Sequence, residues 1–322
     1  DYLYDKVGFY DTLRLIMQGK ASASSLAPVH GEVLDIEEHM LHFLENHDEQ
    51  RIASADFAGD AEVGKPGMVA SALIGSSPTM LYFAQDVGEP GDGDAGFGKA
   101  TRTTIFDYWG VPSHQRWMNG GKFDGGQLTD EESRLRDFYK RLMSFSATNP
   151  AMRGEYMPLE SGNDRVLAFS RWLDEERLFI VANFDRSESQ SIEIPVPAEL
   201  IADWQLADGR YMLNEQLYRR NHARMILDDG KGTIRVTLGA LDSAVLKVGG
   251  QDIMRHADFP SQNVDARHID VWLPSDYHTS GKHYPVIYAH DGQNLYNPSF
   301  VWNNTDWGVD EALQQMIDED QT

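Results

Sequence analysis

Hydrophobic positions along this chain change their period near residue 160, and the change marks its organisation. Leu13, Ile16 and Met17 fall at helical spacing behind Asp11 and predict a helix over 11–18 capped by that aspartate. A polar, Ala/Ser-rich passage from Gly19 leads to the apolar run Met40-Leu41-His42-Phe43-Leu44, which stops at Glu45-Asn46-His47-Asp48-Glu49. A run of this length between polar residues suits a buried strand over 40–45, although its period alone also admits a helix. Lys65-Pro66 predicts a second helix with proline at its first position and Met68, Val69, Ala72 and Leu73 as the buried stripe. Pro78 stops it, and Met80-Leu81-Tyr82-Phe83 predicts the next buried strand. Helix, strand, helix, strand is the order of a parallel barrel or sheet.

Residues 86–126, rich in Gly and Asp, predict a long irregular loop. Thr129-Asp130-Glu131-Glu132 then opens an amphipathic helix with Leu135, Phe138, Tyr139, Leu142 and Met143 on one face, ending at Asn149-Pro150. From about 160 the period shortens. The segments 166–169, 178–182, 191–194, 233–238 and 244–248 are short apolar runs between turn residues, the pattern of an antiparallel β-sandwich. A polar stretch at 250–266, headed by Gly249-Gly250, reads as a linker. Beyond it, Ile269-Asp-Val-Trp-Leu-Pro alternates as a strand, and Pro285-Val-Ile-Tyr-Ala is a continuous apolar strand ending in His290-Asp-Gly-Gln293.

Composition narrows the functions available. At 322 residues the chain is long enough for two or three domains, and 41% hydrophobic residues supply sizeable cores. No apolar run approaches the roughly 20 residues of a membrane span. No basic segment followed by an apolar one marks a signal peptide, and the first residue is Asp rather than Met, so an earlier part of the protein is expected. Lys+Arg 28 against Asp+Glu 51 gives a net charge of −23, which argues against nucleic acid or an anionic membrane surface as partner. Zero cysteines exclude disulfides, thiolate catalysis and cysteine metal sites. They leave the compartment open, with a bacterial periplasmic or extracellular setting as the expectation.

Chemistry concentrates where the strand at 40–45 ends. An amide, an imidazole and a carboxylate stand in succession as Asn46, His47 and Asp48, and the C-terminal end of a parallel strand is where α/β folds keep their sites. The ordinary alternative is a polar turn, with Asp48 capping the next helix and Asn46 orienting the turn through its own side chain. Arg51 either pairs with a carboxylate of an earlier part of the protein or is solvated. Tyr108 and Trp109 either stack on a ligand or anchor their loop. The other histidines lack metal-ligand spacing and read as surface or packing residues.

Phe43-Leu44-Glu45-Asn46-His47-Asp48 resembles the fourth signature region of the α-amylase family of glycoside hydrolases. The resemblance spreads over about residues 1–250 in the family's order. Asp1 to Leu13 looks like the segment preceding that region, Pro78 to Glu89 like the eighth barrel strand, Arg102 to Trp109 like the loop after it, and Leu241 to Val248 like the closing strand of the C-terminal β-domain. One departure is Ala84-Gln85-Asp86 where the family usually has Gly-Gln-Glu, which leaves the role of Asp86 open. The tail is similar to the start of α/β-hydrolase esterases of the enterochelin- and carbohydrate-esterase type. Its matching residues are Val271-Trp-Leu-Pro274, His290-Asp-Gly-Gln-Asn294 and Trp307-Gly-Val-Asp310.

These resemblances imply a fold and a function. Residues 1–155 would be the C-terminal part of a (β/α)8 barrel, 156–249 a β-sandwich domain, 250–266 a linker and 267–322 the first strands of an α/β-hydrolase domain. The activity implied is retaining cleavage or transfer on α-glucans or maltooligosaccharides. Its Asp nucleophile and Glu acid/base would lie on strands before residue 1. Asp48 matches the family's third acid, the transition-state stabiliser. His47, Asn46 and Arg51 are the substrate-binding candidates. No cofactor is expected, and a calcium site would belong to the preceding part. The esterase nucleophile elbow Gly-x-Ser-x-Gly does not occur here, so only the backbone N–H of Gln293 is an oxyanion candidate. The alternative reading makes the esterase the principal activity and the glycosidase-like portion a carbohydrate-binding module.

Overall fold

The computed structural model describes residues 2–92, 111–218, 223–274, 277–296 and 305–318. The chain divides into two compact units: 1–195 with 214–223 and 235–248, and 196–213 with 224–234 and 249–322.

The first unit begins with β1 (Leu3–Tyr4) and a π-helical turn, Lys6–Tyr10, that runs into α1 (Asp11–Met17). The expected cap is corrected here. Asp5, not Asp11, does the capping, its Oδ1 accepting from the Phe9 N–H at 3.0 Å, while Asp11 takes the Lys6 ammonium at 2.6 Å. After α2 (Leu26–Gly31) comes β2 (Met40–Phe43), the apolar run read from the sequence. Next, α3 (Gly64–Leu73) is buried on nearly every face rather than along one stripe. Its Pro66 stands third in the helix, where a missing N–H still costs no intrahelical bond.

β3 (Thr79–Met80) is shorter than the expected 80–83. Gln85 cuts it short: its Oε1 accepts the Tyr82 N–H at 3.1 Å, and Ala84 turns the backbone left-handed at φ 59°. The three strands form a parallel sheet in the order β1-β2-β3, with Leu3 opposite Met40 and His42 opposite Thr79.

The described part of the expected loop 86–126 contains α4 (Pro112–Met118), opened by its proline. The helix α5 (Asp130–Thr148) starts as read: Thr129 Oγ1 accepts from Glu132 N–H, and the Glu132 carboxylate accepts from Thr129 N–H. Leu135, Phe138, Tyr139 and Leu142 are buried, and Met143 packs partly exposed beside them.

An antiparallel meander comes next: β4 (Glu155–Leu159), β5 (Val166–Leu173) and β6 (Glu176–Asn183). β4 carries Pro158, which hid it in the sequence; it stands at the sheet edge, where a missing N–H is tolerated. After β7 (Gln190–Val196) the chain forms α6 (Ala198–Asp203), β8 (Gly209–Glu215), β9 (Ala223–Asp228), β10 (Lys231–Leu238) and β11 (Ser243–Phe259). Residues 243–247 of β11 pair antiparallel with β6. One core joins α1, α3 and α5 to β5 and β6 through Met17, Leu73, Leu142, Phe169 and Ile180.

The second unit departs most from expectation. The stretch read as a linker continues as strand to Phe259, and its residues from Ile253 pair antiparallel with β12 (Arg267–Trp272). The apolar run Pro285–Ala289 forms no strand, with Val286, Ile287 and Tyr288 73%, 72% and 92% exposed. A run buried on both faces of a sheet needs covering layers and two paired neighbours, and no described residue supplies them. Short α7 (Tyr277–Ser280) and α8 (Val309–Asp318) complete this unit. Arg210 anchors α8, its guanidinium contacting Asp252 at 2.9 Å and Asp310 at 2.5 Å.

Candidate functional site

The site grows from the end of β2. Beyond Phe43 the chain must leave the sheet, and Asn46 shapes the exit: its Oδ1 accepts the N–H groups of Asp48 at 2.8 Å and Glu49 at 2.9 Å. Asn46 is buried and orients the turn, the ordinary role weighed for it above. The turn lifts His47 and Asp48 outward, with side chains 43% and 70% exposed and His47 Nε2 3.3 Å from Asp48 Oδ2. An imidazole and a carboxylate side by side offer a donor and an acceptor to vicinal hydroxyls. Nearby, Glu49 receives the Tyr10 hydroxyl at 3.2 Å, with Lys6 and Arg14 at 3.3 and 3.5 Å.

A buried clasp holds this turn. The Glu45 carboxylate accepts Arg51 Nη1 at 2.7 Å through one oxygen and the Ile52 N–H at 2.7 Å through the other. Arg51 also donates to the Phe83 carbonyl at 2.8 Å and lies 4.4 Å from the Tyr82 ring centroid. Burial pushes the Glu45 carboxyl above its usual range, and the Arg51 charge opposes that rise. Arg51, expected among the sugar contacts, is only 1% exposed and donates to Glu45 and to Phe83. Sequence reading missed Glu45 because a carboxylate before Asn-His-Asp looks like one more turn residue until its partner six residues on is placed.

The remaining candidates are dispersed. Asp86 forms an ion pair with Arg136. Tyr108 and Trp109 lie outside the described residues. Gln293 belongs to the 3₁₀ turn Gly292–Asn294, which comes directly after left-handed Asp291 at φ 57°. Among the described residues, no group of three His, Asp or Glu side chains is placed to hold a metal ion, and no helix is long and apolar enough to cross a membrane.

Known proteins match different parts of the chain. Residues 158–249 match the alpha amylase C-terminal all-beta domain. This region covers β5 to β10 and the first part of β11. A segment is 26% identical over 109 residues to the alpha-1,4-glucan:maltose-1-phosphate maltosyltransferase of Picrophilus torridus, covering 30% of this chain and 17% of that protein. Among solved structures, AmyP in complex with maltose shares 19% identity at a TM-score of 0.53, covering 77% of this chain and 50% of that one. The noncanonic maltogenic alpha-amylase AmyB of Thermotoga neapolitana shares 15% at 0.53, with the same coverage. At these identities the structural likeness is one of fold, and the chain spans about half the length of these solved relatives.

Proposed function

We propose that this chain is the C-terminal part of a retaining α-glucan-active glycoside hydrolase or transglycosylase, with Asp48 as the carboxylate that holds sugar hydroxyls in the transition state. The observation that carries the reading is an exposed Asp48–His47 pair at the C-terminal end of a parallel strand, in a chain that continues into an α-amylase-type β-domain. A charged hydrogen bond that strengthens as the oxocarbenium ion forms favours the transition state over the ground state. His47 donates to the same sugar, and Asn46 supports both through the turn. The barrel strands bearing the nucleophile and acid/base belong, in this reading, to the part of the protein before residue 1. The 322-residue chain alone therefore releases no sugar from maltooligosaccharides. In the complete protein, Asp48→Asn lowers kcat by about two to three decades, the worth of one charged transition-state hydrogen bond, with KM little changed. Asn fills the same volume, so the melting temperature stays near that of the parent. A parent-like kcat for the Asn variant ends the assignment, since an aspartate that only orients a turn is replaced by Asn at little loss.

The tail supports a second reading, an esterase fused behind the β-domain, on one observation: the backbone N–H groups of the Gly292–Asn294 turn come after left-handed Asp291 where the resemblance requires an oxyanion donor. In this reading Gln293 supplies that donor, the nucleophile lies beyond residue 322, and the chain hydrolyses no aryl acetate.

A further inference from the structure

We propose that His30 and His42 together form a one-proton acid sensor beneath β2, with Glu37 and Asp5 as the carboxylates that receive the imidazolium. The sensor is independent of the glycosidase reading. Both rings are fully buried in the first unit, with their centroids 6.4 Å apart. His42 stacks on Phe9 at 3.9 Å and points Nδ1 at the Ser71 carbonyl, 3.0 Å away. Its Nε2 faces Asp5 Oδ2 at 3.8 Å. The Nε2 of His30 faces Glu37 Oε2 at 3.9 Å, and the edge of the Tyr156 ring packs on it at 4.8 Å. These gaps are too long for hydrogen bonds of a neutral ring, yet within ion-pair range of a charged one. Among the described residues, both nitrogens of His30, Nε2 of His42, Oδ2 of Asp5 and the Tyr156 hydroxyl have no hydrogen-bond partner.

The site is built to hold this geometry. Glu37 is fixed by the Ser76 N–H, and Gly75 leaves it room, since a Cβ there would overlap the carboxylate and lie 2.8 Å from His30 Cε1. Burial is the chief influence against protonating His30, opposed by Glu37 and aided by the charges of His42 and of Arg171 on β5. The balance lowers His30 to about 4; His42 is also lowered, chiefly by burial, against the Ser71 carbonyl, Asp5 and Glu37. Two imidazolium ions this close in a dry interior repel, so the pair takes one proton rather than two. His42 stands on β2 four residues before Asn46, so the proton acts on the strand that carries the site.

Linkage sets the sign. Folded values lie below the ordinary 6.5, so the neutral pair contributes stability fully above that pH and loses it as the pH falls from 6.5 towards about 4. Histidine-ring NMR on the 322-residue chain from pH 8 to pH 4 tests the proposal, with His30 and His42 assigned by single replacement. Both rings are expected to be neutral at pH 6 and to gain one proton between them near the bottom of the range. Glu37→Gln removes the receiving carboxylate, so the His30 transition moves to still lower pH and acid unfolding begins at higher pH. Independent titration of both rings near 6.5 overturns the sensor, as do ring shifts that ignore Glu37→Gln in a folded variant. If Glu37→Gln does not fold, the parent titration decides alone, by whether the pair takes one proton late or two early.

Discussion

Two stretches of this chain share one sequence logic and reach opposite ends. Met40 to Leu44 and Pro285 to Ala289 are both short apolar runs that end in a polar cluster containing His and Asp. The first becomes a parallel strand with Phe43 1% exposed, paired on one side with β1 and on the other with β3. The second stays irregular, with Tyr288 92% exposed. Apolar content sets the gain available from burial, and neighbours decide whether it is realised. A strand's N–H and C=O groups need partners on adjacent strands, and its side chains need a layer above and below. β2 has α3 and the π-helical turn against it, with Phe9 and Met68 in the same buried first unit.

Substitutions in the two stretches sharpen this contrast. The largest effect is expected at the clasp below β2. Arg51→Met strands the Glu45 carboxylate without its counter-charge in the interior, which costs about 3–5 kcal/mol. Urea unfolding of the chain should show that loss, with Arg51→Lys recovering only part: one ammonium can donate to both Glu45 and Phe83, as Nη1 does, but the planar guanidinium over the Tyr82 ring is lost. A loss below about 1 kcal/mol would mean that the turn carrying Asp48 is held some other way. Next comes the strand itself: Phe43→Ala removes a ring stacked on Tyr10 at 4.7 Å and should cost roughly 3–4 kcal/mol. Its counterpart, Ile287→Ala, should stay within about 0.5 kcal/mol by the same measurement, as exposed positions do. A cost near that of Phe43→Ala would show that 285–289 is buried in solution and would dissolve the contrast.

Legibility in the sequence divides along the same line between local and distant partners. α5 was readable to its first residue, because the Thr129–Glu132 capping box and the face of Leu135, Phe138, Tyr139 and Leu142 all lie within a few turns of one another. β5 and β6 were readable because continuous apolar runs between turns have few other homes. β4 was hidden by Pro158, which only an edge position permits. The long β11 was hidden by Gly249-Gly250, a pair that reads as a break and here lies within a strand whose later half pairs with β12. At the site, the order Asn46-His47-Asp48 was visible, and so was the ordinary role of Asn46. The placement of Arg51 was not, because its partners are a carboxylate six residues back and a carbonyl thirty-two residues on.

By itself, then, the sequence determined some local features: the cap and amphipathic face of α5, the change from helical to strand period near 160, and a polar turn carrying Asn46, His47 and Asp48. Each depends on residues close along the chain, whose geometry is set by backbone sterics and hydrogen bonds within a turn or two. Only the tertiary structure decided that α3 is buried on nearly every face, that Glu45 and Arg51 close on each other, that His30 and His42 meet beside Glu37 and Asp5, and that 285–289 pairs with no strand among the described residues. Those outcomes depend on desolvation and on partners supplied by distant segments, and a charge or an apolar run carries no local mark of whether such a partner will arrive.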